Sequence, residues 1–456
     1  MTVSLTHIKN LKFRELCERI LKQMKRYKVP GVSIGVWNKG HEYAMGFGMT
    51  NIRNPQPVTA DTLFQTGSIS KTFTGTVLMR LAEQGKVTLD APVRKYIKDF
   101  KLKDKKVEKQ VTIRDLLTHM GGWVGDYFNT FGDGDDALDK MVKEIAKLPQ
   151  IHPHRTIWSY NNTGFNVASR VIEVVTKKPY EQAVQEMLFD PIGLNMSFFY
   201  PNDVLLTHRV VAGHQQIDNR VQVALPWAVG RANNGVGGVI STVKDLLKYA
   251  RFHMSNGKKN ILSGKSLKAM REPQVSAGGR GDMGITWFIR KVRNVTLYGH
   301  GGATMGQLAY LFFIPDRDFA LAVLTNSNDG NMITSNIVSW ALEIYFNTSI
   351  STPTPIKTTP AERKKFTGRY QIGTECCDLK VEGDYLMYHQ IPLGGFPTPD
   401  TPPGPAMEPI RFAFYESDHV IGMNGPYKDA LGEFIRNDKG KLLYFRIGGR
   451  AHKKIK

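Results

Sequence analysis

The segment Phe64-Gln65-Thr66-Gly67-Ser68-Ile69-Ser70-Lys71 enters a helical pattern in which Ile69, Phe73, Val77 and Leu81 share one face as far as Gly85. Ser68 therefore stands at a helix N-terminus, where the aligned peptide dipoles favour negative charge, and Lys71 lies one turn on along the same face. A hydroxyl with an amine in reach is a nucleophile with its base. Alone, Ser-x-x-Lys says little, because it recurs at Ser241 to Lys244 and at Ser255 to Lys258. Ser241 begins a helix and is followed by Asp245 and Leu246, which predicts an N-cap, while Ser255 beside Asn256-Gly257 predicts a turn.

Two further groups complete a pattern: Tyr160-Asn161-Asn162 and His300-Gly301-Gly302. Each has a plain structural reading, since a lone tyrosine is commonly a half-buried aromatic and a His-Gly-Gly can simply end a strand. Their order after Ser68-x-x-Lys71, each at the end of a segment where side chains can converge, favours one active site. No Walker loop, GxGxxG fingerprint or HExxH is present, and His152-Pro153-His154 lacks carboxylate or cysteine partners at a ligand spacing. No metal and no cofactor is expected.

Around these motifs the chain predicts an amphipathic helix over Ile8 to Lys28, a hairpin of Val32 to Trp37 and Tyr43 to Phe47, and a mainly helical middle from about Ser68 to Met270. Four strands follow, Ile285 to Val292, Val295 to Tyr298, Leu308 to Ile314 and Ala320 to Thr325, joined by connections so short that they must pair antiparallel. A helix from about Met332 to Phe346 closes the region. The expectation is an α/β fold: one antiparallel sheet flanked by helices, built from both ends of residues 1–347, with an all-helical region inserted. Thr348 to Pro360 reads TSISTPTPIKTTP, a Pro/Thr linker. Residues 361–456 alternate in short strands, Cys377 to Val381, Tyr385 to His389, Arg411 to Phe414, Val420 to Met423 and Leu442 to Ile447, and predict a small β-barrel. Within it, the Pro- and Gly-rich stretch Pro392 to Pro405 is longer than barrel closure needs and is expected to lie near the cleft and restrict access to it.

The 456 residues carry a formal net charge of +20 and are 41% hydrophobic. This composition suits a large core plus a second module and excludes a disordered or coiled-coil chain. The basic runs Lys101 to Lys109 and Arg450 to Lys456 have no interleaved aromatics and read as solvated loop and tail, so no nucleic-acid partner is expected. No apolar stretch is long enough for a bilayer, so no membrane partner is expected either. Three poorly placed cysteines and a charged first thirty residues predict a cytoplasmic protein.

The combination resembles the serine β-lactamases and penicillin-binding-protein-like hydrolases, in the branch of the class C β-lactamases, D-aminopeptidases and esterases. It is carried by the three motifs together with Val29-Pro30-Gly31-Val32-Ser33, Leu116-Leu117-Thr118-His119, Asn234 to Thr242 and Pro315-Asp316, over roughly residues 10 to 346. The tail is similar to the lipocalin-like modules appended to some peptidase-like members. The resemblance implies acyl transfer: Ser68 as nucleophile, Lys71 and Tyr160 moving the proton, either as principal base, and Asn162 hydrogen-bonded to Lys71 and to a substrate amide. Ser68 and Ala303 would supply the backbone NH groups of an oxyanion hole, with His300 and Gly302 lining the substrate. His300 stands where many members have lysine, which weakens anchoring of a substrate carboxylate. The expected partner is a small-molecule or short-peptide amide or ester, with self-association through the C-terminal module left open. The alternatives are β-lactamase or D-Ala-D-Ala carboxypeptidase activity, or a non-catalytic binding or assembly protein. No residue is assigned to activate the deacylating water.

Overall fold

The computed structural model describes residues 5–227, 229–373, 375–394, 400–404 and 406–456. The first helix, α1 (Leu11–Tyr27), is capped by Asn10, whose side chain accepts from Phe13 N. Its buried face is Phe13, Leu16, Cys17, Ile20 and Met24, while Leu11 is 65% exposed. The predicted hairpin forms as β1 (Gly31–Asn38) and β2 (His41–Gly48). Further along come β3 (Val275–Ser276), β4 (Asp282–Met283), β5 (Phe288–Val292), β6 (Val295–Thr304), β7 (Gln307–Ile314) and β8 (Phe319–Thr325). These eight make one sheet in the order β2-β1-β8-β7-β6-β5-β4-β3, with every pairing antiparallel.

Strand β8 shows why the sheet is a middle layer. All seven of its residues are buried. Because successive side chains leave a strand on opposite faces, Ala320, Ala322 and Leu324 enter one core and Phe319, Leu321 and Val323 another. The second core is closed by α1 and by a late helix (Asn331–Phe346). The first is closed by the inserted helices, among them α2 (Ser70–Glu83), α3 (Thr163–Thr176) and α4 (Val243–Met254). Helix α4 corrects one expectation: its N-cap is Thr242, whose hydroxyl accepts from Asp245 N at 3.2 Å. Ser241 lies one residue earlier, in a two-residue strand paired with Phe64–Gln65, and its hydroxyl meets Ser197 Oγ at 2.8 Å.

Residues 348–359 form neither helix nor strand, and Ile356 N donates to Phe414 O of the following unit. That unit is a closed barrel of eight consecutive strands from Gly368–Ile372 to Arg450–Lys454, the first pairing with the last through Tyr370 and Lys454. Three of its strands, Gly368–Ile372, Leu431–Arg436 and Arg450–Lys454, were not expected. Its interior is filled by Tyr370, Cys377, Tyr388, Phe412, Phe434 and Phe445, so it is a packed core. Arg450–Lys454, expected as solvated tail, is a strand in which Ala451 and His452 are fully buried. Among the described residues no helix is long and apolar enough to cross a membrane. Thr242→Ala should lower unfolding stability by about 1 kcal/mol as a lost N-cap, read by urea denaturation, with ester turnover unchanged.

Candidate active site

The loop before α2 is fixed from two directions. Thr66 N and Oγ1 both donate to Val239 O at 2.9 Å, Val239 N donates to Ser70 Oγ at 3.0 Å, and Gln65 N donates to the side chain of Gln307 at 2.9 Å. Gln307 opens β7, so the nucleophile loop is tied to the strand turn that faces it. Gly67 takes φ +53°, and a Cβ there would lie 2.4 Å from Ala303 N. A Cβ on Gly302 would lie 1.9 Å from Thr66 O and 2.9 Å from Ser68 N. Backbone therefore meets backbone where the Ser68 and Ala303 NH groups stand, and only glycine permits that approach.

Ser68 is half-buried and Lys71 has no exposed surface. Their Oγ and Nζ atoms are 2.9 Å apart, and Nζ also donates to Val236 O at 2.8 Å. Burial holds the Lys71 ammonium well below its ordinary range; Asp126 opposes that shift and Arg450 adds to it. The rings of Tyr160 and Phe165 close around the amine, their centres 5.1 and 5.7 Å from Nζ. The Tyr160 hydroxyl is pushed up to about 12 by burial, with Ser68 close enough to oppose the shift, though no hydrogen bond of good geometry joins the two. His300 Nδ1 donates to Gly301 O at 2.6 Å, and its pKa is pulled down to about 3 by burial and then by Lys71, so it carries no charge at neutral pH.

A family model described as Beta-lactamase matches residues 17–337. The chain belongs to the serine β-lactamase and penicillin-binding-protein family of hydrolases. Penicillin-binding protein 4 of Amycolatopsis lactamdurans is 31% identical over 320 residues, 68% of this chain and 84% of its own length. Two Aspergillus relatives are matched over only 61% and 60% of theirs. The crystal structure of SurE superposes with a TM-score of 0.76 at 21% identity, covering 97% of this chain and 99% of SurE, so the shared fold includes the barrel. The D-amino acid amidase from Ochrobactrum anthropi SV3 superposes at 0.61 and 21% identity, covering 73% of this chain and 99% of the amidase.

Within this hydrolase the expected bond from Asn162 to Lys71 is absent, because the Asn162 amide nitrogen donates instead to Asp126 Oδ1 at 2.5 Å and Val236 O holds the lysine. The middle residue, Asn161, is the structural one, accepting from Gly164 N and donating to Trp123 O. His152 meets Ala451 O at 2.7 Å and His154 meets Asp115 at 3.0 Å, which accounts for the His-Pro-His run.

Three site residues escape sequence reasoning. His119 lies under Tyr160, ring centres 4.2 Å apart, and its Nδ1 stands 2.9 Å from Asn161 N and 3.1 Å from Asn161 O. Asp126 and Arg450 form a bidentate pair at 2.6 and 3.0 Å, and Arg450 also faces Glu375 at 3.5 Å. Arg450 follows Gly448-Gly449, the tip of the barrel hairpin between Leu442–Ile447 and Arg450–Lys454, whose two glycines both have positive φ. This tip enters the cleft: Tyr160 N donates to Gly449 O, Ala451 N to Ser159 Oγ, and Arg446 to Trp158 O. Among the described residues it is the barrel element that touches Tyr160. Residues 395–399 and 405 of the Pro392 to Pro405 stretch lie outside the described residues. His119 was signalled only by Leu-Leu-Thr-His; nothing local marked Asp126 or Arg450.

Gly302→Ala should force β6 away from the serine loop, lowering stability by roughly 1–3 kcal/mol and slowing fluorophosphonate labelling of Ser68 at least tenfold. Gly301→Ala, whose Cβ would meet only the Tyr310 side chain at 3.2 Å and Ala309 O at 3.7 Å, should label at nearly the wild-type rate.

Proposed function

We propose that this protein hydrolyses small amides or esters, as a peptidase, D-amino-acid amidase or esterase, through an acyl-enzyme on Ser68. The observation that carries the reading is the fully buried amine of Lys71 at 2.9 Å from the half-open Ser68 hydroxyl. Burial disfavours the ammonium, so at neutral pH the amine is available to take a proton. Ser68 Oγ attacks the carbonyl carbon and its proton passes to Lys71. The developing oxyanion faces the NH groups of Ser68 and Ala303, and preorganised donors of this kind contribute about 3 kcal/mol each to lowering the barrier. Tyr160, held protonated by burial, has its ring centre 5.1 Å from the amine, where it can relay a proton to the leaving amine or alcohol. Water then cleaves the acyl-enzyme, returning the proton to the enzyme and releasing the acid.

The names of the relatives agree with this chemistry, one a penicillin-binding protein and one a D-amino acid amidase. The hairpin tip packs against Tyr160, a placement that agrees with short substrates. Ser68→Ala should abolish hydrolysis of p-nitrophenyl acetate and the fluorophosphonate adduct seen by intact mass, while the melting temperature changes little. Turnover surviving in that variant would overturn the reading, and no adduct on the wild-type chain would favour a binding protein. A stable adduct after incubation with penicillin would mark penicillin-type recognition.

The charges around Lys71 set the sign of a pH test. Arg450 disfavours the ammonium and Asp126 favours it. Arg450→Gln removes a cation and leaves Asp126 unpaired, so both changes raise the lysine pKa, and the acid limb of kcat/KM should move to higher pH. Asp126→Asn should move it to lower pH. An identical acid limb in all three proteins would mean that Lys71 is not the group titrating there.

A further inference from the structure

The Tyr160 hydroxyl is buried and, among the described residues, makes no hydrogen bond of good geometry. A phenol without such a tether is aimed by whatever its ring lies against. Three aromatic neighbours surround that ring. His119 is stacked on it at 4.2 Å between centres, whereas Phe288 and His300 stand at 6.5 and 6.2 Å. Only His119 is near enough for contact across the ring face.

His119 meets this part of the chain a second time, because its Nδ1 stands 2.9 Å from Asn161 N and 3.1 Å from Asn161 O. The imidazole comes from the turn after the short helix Ile113–Leu117, where Met120 N donates to Asp115 O at 2.8 Å. Asp115 is itself held by Thr112, His154 and Arg155. His119 takes φ +61°. Glycine adopts that conformation freely and histidine only with strain, so the turn alone does not call for a side chain here. The residue is 1% exposed, and its ring also packs on Phe165 and Trp158, centres 5.1 and 5.8 Å away. Burial, and after it Lys71 and His300, hold the imidazole well below its ordinary range, so it stays neutral at neutral pH. A protonated Lys71 only strengthens that preference, and the platform keeps its charge while the amine gains a proton.

We propose that His119 is a positioning residue: its stack against Tyr160 aims the tyrosine hydroxyl at the leaving group as the acyl-enzyme forms. This rests on the serine-hydrolase reading and adds to it what orients the proton donor. In that step the bond from the carbonyl carbon to the leaving oxygen or nitrogen breaks, and the leaving atom takes the tyrosine proton. Tyr160 is reprotonated by the Lys71 ammonium, which holds the proton taken from Ser68. A donor displaced by an ångström loses much of its effect. The loss falls on leaving groups that need the proton and spares those that depart as stable anions.

Phenyl acetate and p-nitrophenyl acetate separate the two cases, for p-nitrophenolate leaves readily as an anion and phenolate much less so. His119→Asn removes the ring, and asparagine tolerates a positive φ. It should raise the ratio of kcat/KM for p-nitrophenyl acetate to that for phenyl acetate by about tenfold. Tyr160→Phe should raise the ratio at least as far, and adding His119→Asn to that variant should change it no further. His119→Phe, which keeps a ring under the tyrosine, should stay near the wild-type ratio. A ratio unaltered by His119→Asn or by Tyr160→Phe overturns the proposal, since general damage to the pocket lowers both rates alike. So does a rise that persists in full on the Tyr160→Phe background.

Should His119→Asn fail to fold, His119→Phe decides: a ratio near wild type supports the stack as the aiming contact, and one raised to that of Tyr160→Phe overturns it. If the wild-type protein hydrolyses neither ester, the hydrolase reading fails on its own. Crystal structures of the wild-type and His119→Asn proteins then test the contact separately, a displaced Tyr160 ring supporting it and an unmoved one overturning it.

Discussion

A lysine amine with no exposed surface is the constraint around which this molecule is organised. An ammonium removed from water is strongly disfavoured unless a carboxylate answers it, and among the described residues none touches it. The contacts of Lys71 are a serine hydroxyl, the Val236 carbonyl and the faces of two aromatic rings. These contacts hold the nitrogen in place, and it is loss of hydration that favours the neutral amine over its conjugate acid. Keeping water out requires closure on every side, and each unit of the fold supplies a wall. Helix α2 carries the lysine, α3 contributes Phe165, the approach to α3 contributes Tyr160, and the barrel tip lies against Tyr160.

The same demand explains the two glycines that let β6 touch the serine loop. A sheet residue with a side chain at 302 would stand off from Thr66 and Ser68, and the gap would admit solvent and separate the Ser68 and Ala303 NH groups. Strand β8, buried on both faces, anchors that geometry, because its alternate side chains join the two cores and leave the sheet little freedom to slide. Precision at the cleft is inherited from packing well away from it.

Much of this is legible in the amino-acid order where information is local. The strands from Phe288 to Thr325 announce themselves by apolar runs broken at Pro315-Asp316, and the structure gathers Ser68, Lys71, Tyr160 and His300 as their positions at segment ends suggest. What escapes depends on partners distant in sequence. Arg450 in a basic run has the composition of a solvated tail; Asp126, 324 positions away, holds it half-buried in the molecule. Ser241 and Thr242 are both credible caps, and the choice falls to Thr242 because pairing with Phe64–Gln65 claims Ser241 for a strand. Three barrel strands are missed because Gly368, Gly432 and the charges of Arg450–Lys454 dilute their alternation, which closure of the barrel overrides.

The hairpin at the cleft bears on the order of assembly. Chains are made from the N-terminus and units fold as they emerge, so the sheet and inserted helices are synthesised ahead of the barrel by the whole of the linker. Until the barrel docks, Asp126 is without the Arg450 guanidinium and Tyr160 N is without the Gly449 carbonyl. The wall beside Tyr160 is thus the last part of the cleft to be made.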